Sequence, residues 1–114
     1  MIKFKFGELS RELDFTDAMF CAQLEQAGEQ LKADMEKIDP SGTLQSVIKA
    51  QCAAEKRFFD RVLGEGASEK MFGEAVNARL CNQAVAAFVA AKDKDLRLYS
   101  QQTQKLAEKM GAAG

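Results

Sequence analysis

The hydrophobic period of this chain changes once, near residue 16, and that change sets most of what it can fold into. Before it, Ile2, Phe4 and Phe6 alternate with Lys3 and Lys5. After Gly7-Glu8, Leu9, Arg11, Leu13 and Phe15 alternate with Ser10, Glu12 and Asp14. A period of two marks a strand with one buried face. Two such runs around a glycine predict a β-hairpin over residues 1–15, and Gly7-Glu8 suits a II′ turn. A lone hairpin is marginal in water, so this one must lay its apolar face on helices or pair with another chain.

From residue 16 onward the apolar residues recur every three or four positions. Phe20, Leu24, Ala27, Leu31, Met35 and Ile38 form one stripe, predicting a helix over 16–38 with Thr16 as cap and Asp17 as its first residue. Asp39-Pro40 ends it, because a residue before proline is pushed out of the helical region. Ser41 or Thr43 caps a second helix over 43–63, carrying Leu44, Val47, Ile48, Cys52, Phe59 and Val62. Glu55 alone breaks that stripe, and Phe58 fills its flank. Gly64 stands where a left-handed cap belongs. Gly64-Glu65-Gly66 then reverses the chain, and Ser68 caps a short turn over 68–72. Asn77 or Glu74 opens a last, alanine-rich region over 77–110, bearing Leu80, Cys81, Ala84, Val85, Phe88, Leu96, Tyr99, Thr103, Leu106 and Met110. It is one long helix or two helices bent near Asp93, and helices well beyond 25 residues usually lean on a partner chain. The tail from Gly111 to Gly114 is expected to fray. The expected fold is α+β, mainly α: one domain over 1–114, with an N-terminal hairpin on three main helices and a short linking turn.

Composition narrows the chemistry. Lys+Arg 16 against Asp+Glu 17 leaves a net charge of -1, so nucleic acid is not an expected partner. The basic residues are scattered, and Lys49, Lys56 and Arg57 share a side of the second helix with Glu55 and Asp60; solvated surface is the better reading. No run of apolar residues is long enough to span a membrane, and no secretory leader follows the two early lysines. With histidine at 0, the usual base of a Ser/His/Asp or Cys/His arrangement is missing. Cys21, Cys52 and Cys81 lack the short spacing of a zinc site and read as core thiols. Asp14 with Asp17, or Asp93 with Asp95, read as solvated charge rather than a metal pair, since residues two apart on a helix do not face each other. Gly64-x-Gly66 has the glycines of a phosphate cradle but neither the preceding strand nor the Gly-Lys-Ser/Thr that such loops need, so cap and turn chemistry explains it. No cofactor, no metal and no catalytic residue is expected.

The apolar surplus is more telling. Phe58 and Phe59 are adjacent and point about 100° apart on a helix, so only one can lead into the core. Met19 and Met71 also lie off the main stripes. Methionine and phenylalanine beside a groove suit a partner's amphipathic helix, because they repack around different sequences. The plainer alternative is that these side chains cover the hairpin.

The run Phe58-Phe59-Asp60-Arg61-Val62-Leu63-Gly64-Glu65-Gly66-Ala67-Ser68-Glu69-Lys70-Met71-Phe72-Gly73 resembles small proteins encoded in the tail-assembly region of phages and prophages of Gram-positive bacteria. An aromatic-acidic helix end, a Gly-Glu-Gly turn and a short turn ending in Phe-Gly carry the likeness. The opening hairpin leading to an acidic helix start is similar too. The resemblance implies a tail assembly chaperone or minor tail component, acting in the host cytoplasm or on the virion, that shields a long tape measure protein. Phe58, Met71, Phe72 and Tyr99 are the expected partner-binding residues, and a homo-oligomer is expected. A second function class is a small regulatory DNA-binding protein, in which the turn before the last helix mimics helix-turn-helix geometry and Asn77, Arg79, Asn82 and Gln83 would read bases. An enzyme ranks third.

Overall fold

A two-residue connection at Gly7-Glu8 joins β1 (Ile2–Phe6) to β2 (Leu9–Leu13), with Phe6 opposite Leu9, Phe4 opposite Arg11 and Ile2 opposite Leu13. The computed structural model describes residues 1–113. Gly7 has a φ of 58°, and no non-glycine residue among those described has a positive φ. Only the first turn residue is therefore left-handed, which is the II′ pattern. The outward face sets Lys3 across from Glu12 and Lys5 across from Ser10, while Phe4, Leu9 and Leu13 are buried beneath. The hairpin thus closes over helices of its own chain.

Among the described residues four helices follow: α1 (Ala18–Glu36), α2 (Leu44–Leu63), α3 (Ala67–Phe72) and α4 (Ala78–Ala113). The architecture is the expected α+β one, mainly α. Several ends differ from the sequence reading for local reasons. Asp17, not Thr16, caps α1, its carboxylate accepting the Phe20 N–H at 2.9 Å. The Thr16 hydroxyl and N–H are instead engaged by Asp14, and these hydrogen bonds hold the Asp14 carboxyl below its ordinary value. The last turn of α1 stops at Glu36 rather than at 38, where the Lys37 and Ile38 N–H groups reach back only three residues, to Asp34 and Met35, and Asp39 accepts from the N–H and hydroxyl of Ser41. That leaves Thr43 as the cap of α2, accepting the Ser46 N–H at 3.1 Å.

Gly66 precedes α3, and Ser68 does not cap it. The cap comes from α2: Asp60 accepts the Ser68 N–H at 2.8 Å and its hydroxyl at 2.9 Å. Asn77 accepts the Leu80 N–H at 2.9 Å and starts α4. With no proline or glycine between Ala78 and Met110, nothing kinks the helix. It continues as one element of 36 residues to Ala113, so the backbone of 111–113 is helical rather than frayed, and Gly114 lies outside the described residues.

α2 sits between α1 and α4, and β1 lies on α4. On the α1 side, Asp34 takes Arg57 at 3.2 Å and Arg61 at 3.7 Å, and Gln23 donates to the Arg61 carbonyl. On the α4 side, Gln51 donates to Asn82 at 3.0 Å. Asp95 is not solvated charge. It is 3% exposed, accepts the Phe15 N–H at 2.9 Å and stands 3.4 Å from the terminal amine of Met1, so one carboxylate fastens both ends of the hairpin to α4. The core is a phenylalanine cluster: Phe88 meets Phe4, Phe15, Phe58 and Phe59 at centroid distances between 5.5 and 6.0 Å.

Glu55 is the exception within that core. It is buried with Gln51 as a distant donor to Oε1 at 3.4 Å, and its Oε2 has no partner. Burial pushes its carboxyl above the ordinary value, with Gln51 pulling weakly the other way. The folded state therefore binds this proton more tightly than the unfolded chain does. The stability Glu55 contributes is complete below the ordinary carboxylate range and is lost as pH rises through the raised folded value. Glu55→Gln is expected to gain about 1 kcal/mol over the parent at neutral pH. Urea titrations should show that gap closing at acidic pH, whereas a gap independent of pH would refute the assignment.

Candidate functional site

Because α1 and α4 both lean on α2, they stand apart as the walls of a groove of about 470 Å³. Cys21, Leu24, Glu25, Gly28 and Leu31 line the α1 wall, and Val85, Val89, Lys92 and Leu96 line the α4 wall. Phe15, Phe58 and Phe88 form the floor. Only Glu25 and Lys92 bring charge to it. A mid-helix glycine is less stable than alanine by roughly 0.5–1 kcal/mol, and a Cβ on Gly28 would meet nothing within 4 Å. Nothing inside this chain requires that glycine.

The α4 wall does not stop where the groove does. Val85, Val89, Lys92, Leu96, Tyr99, Thr103, Leu106 and Met110 follow one another at steps of four and three, the 3.5-residue period of a seam between paired helices. Among the described residues Asp95 is the last buried one of α4. Beyond it the helix projects, stretching the molecule to 65 × 28 × 21 Å with a radius of gyration of 17.5 Å, against about 13 Å for a compact chain of this length. Along the stripe Val89 is 47% exposed, Leu96 37%, Tyr99 50%, Leu106 60% and Met110 70%.

The four residues expected to bind a partner do not form one surface. Met71 and Phe72 are buried under the hairpin, Phe72 against Phe6 at 5.6 Å and Phe59 at 6.0 Å. The Gly64–Gly66 turn folds α3 back so that the Lys70 carbonyl accepts the Glu8 N–H at 2.9 Å, and this contact carries Met71 and Phe72 inward. Phe58 is also a core residue, present at the groove only as part of its floor. Tyr99 alone lies on the open stripe. The residues the sequence reading missed are the α1 wall and Val89. Val89 had a signal, since the α4 stripe keeps its 3.5 period back through Val89 to Val85, whereas the α1 wall had none that tells groove from core.

Other features are spoken for within the fold. The hollow of about 420 Å³ near Asp34, Lys37, Asp39 and Arg57 is rimmed by charge, of which Asp34 pairs with Arg57 and Asp39 accepts from Ser41. Cys52 and Cys81 are buried, while Cys21 is half-buried in the groove wall with its thiol against the Phe15 carbonyl. Burial, with Cys52 as neighbour, pushes the Cys81 thiol up to about 12. Of the four residues named for base reading, Asn77 serves as a helix cap and Asn82 accepts from Gln51. Among the described residues no three Cys, Asp or Glu side chains converge as metal ligands, and no helix is long and apolar enough to cross a membrane.

Residues 5–111 match a family described only as a family of unknown function, DUF6673. No curated protein and no solved structure matches the chain.

Proposed function

We propose a binding role without catalysis for this chain, which belongs to the DUF6673 family of unknown function: it is an assembly or interaction protein that takes up an amphipathic helix of a protein partner. The observation that carries this reading is the apolar groove between α1 and α4, continuous with the unpartnered stripe of the projecting helix. An amphipathic helix laid there would bury its apolar face against Leu24, Leu31, Val85 and Val89, in the helix-in-groove mode of peptide recognition. Gly28 would let its backbone come close.

The likeness of residues 58–73 to tail-region proteins of Gram-positive phages names the class of client. A tape measure protein is a long helical chain with apolar stripes that need cover before the tail tube assembles around it. On this reading the protein is a tail assembly chaperone working in the host cytoplasm, and it also self-associates.

Co-expression with a candidate tape measure protein tests the reading through the client's soluble fraction. The parent chain is expected to raise that fraction several-fold. Gly28→Leu, which fills the groove at a site with open space, is expected to abolish the gain while leaving the fold intact. No gain with the parent chain, or a full gain with Gly28→Leu, would overturn it.

A further inference from the structure

We infer that in the absence of a client the groove is filled by the projecting end of α4 from a second copy, each copy inserting its tail into the other in an antiparallel dimer. The inference rests on the reading that the groove accepts a helix, and it names the occupant from lengths and spacings within this chain.

Length comes first. Residues 96–113 lie beyond the last buried position of α4, and at 1.5 Å per residue they reach about 27 Å. An antiparallel α4 with its two-fold axis at residue 101 lays residues 106–113 of one copy beside residues 89–96 of the other. Those hold the α4 groove wall from Val89 to Leu96, all of it but Val85, so one register enters both grooves. A surface that is its own complement in this way is what a two-fold dimer requires. In a parallel pair the tails would cover each other but leave both grooves empty.

The stripe fits that register. Antiparallel seams place residues from alternate positions of the repeat in common layers, here Leu96 with the second copy's Leu106, and Tyr99 with Thr103. Met110 falls beside Lys92, whose stem can lie along it while the ammonium stays in water. The exposed stripe from Val89 to Met110 leaves roughly 500 Å² of largely apolar surface, toward the upper end of the largest patch on an ordinary monomer and the greater part of the ~800 Å² per partner of a specific interface.

Sedimentation equilibrium of the full chain at tens of micromolar, with cross-linking of cysteine variants, tests the arrangement. The parent should run as a dimer, and Leu106→Asp and Met110→Asp should each run as monomers with unchanged helical circular dichroism, since both positions lie beyond the body. Under mild oxidation Gln102→Cys, beside the axis, should cross-link to itself well above the background of the native cysteines, and Leu106→Cys should not. A monomeric parent, a dimer indifferent to both aspartates, or preferential self-linkage of Leu106→Cys would each overturn the inference. A monomer that still keeps a tape measure protein soluble would overturn this inference alone. A dimer with no effect on that client would overturn only the proposed function.

Discussion

Phe88→Ala is expected to lose about 4 kcal/mol of folding free energy, within the range for truncating a phenylalanine in a close-fitting core. The size follows from position. Phe88 is the residue of α4 at which β1, the chain leaving β2, and α2 all meet, through Phe4, Phe15, Phe58 and Phe59, with all four rings edge-on to it. Truncation forfeits the transfer energy of the ring and those edge-to-face contacts together. Its neighbours cannot easily close the void, because Asp95 holds the chain at Phe15 and Gln51 holds α2 against α4. A domain of this size has about 5–15 kcal/mol in total, so the variant should be marginal at 37 °C. Urea unfolding followed by circular dichroism measures the difference, and Phe88→Leu should lose less than half as much. A loss for Phe88→Ala below about 1 kcal/mol would mean that the groove above Phe88 collapses onto the site, and the cluster would not be the centre of the core.

What the sequence disclosed and what it hid divide along a physical line. Local preferences set the hairpin, its turn, the helices and most of their ends, because alternation, caps and breakers act over a few residues. The single helix Ala78–Ala113 was one of two readings open on the same pattern, and the lack of any breaker decides it. Errors arose where two nearby groups competed for one role. Thr16 and Asp17 can both cap α1, and Asp14 decides between them by engaging Thr16. Ser68 looks like a cap until Asp60 reaches across from α2. Asp95 looks solvated until the hairpin is laid over it.

The site was harder to read than the fold for a related reason. Periodicity shows that a face is apolar but not what covers it. The α1 stripe reads as core, yet of its members only Ala27 is fully buried, and Leu24 and Leu31 face the groove. Phe58, Met71 and Phe72 read as surplus, yet the turn at Gly64–Gly66 supplies a cover for them inside the chain. The open surface is decided by which helices can reach α2, and no local pattern records that.

The contact that carries Met71 and Phe72 inward also sets the second large expected effect. Gly7→Ala should lose roughly 3–4 kcal/mol, the sum of two penalties that a second glycine can separate. A left-handed backbone costs an L-residue about 1–2 kcal/mol, and Gly7 holds a φ of 58°. The remainder comes from space. A Cβ at Gly7 would collide with the Met71 carbonyl oxygen and lie 2.9 Å from that of Lys70. These are backbone atoms of α3, and the Glu8 N–H already binds one of them. Relief therefore requires α3 to move off the hairpin, separating Phe72 from Phe6 and unseating Met71. Gly66 has a φ of 86°, but a Cβ there would meet nothing within 4 Å. Gly66→Ala should accordingly lose only the conformational part, about 1–2 kcal/mol. Equal losses for the two variants in urea unfolding would show that α3 yields freely, and the close approach of turn and helix would then contribute nothing to holding the hairpin down.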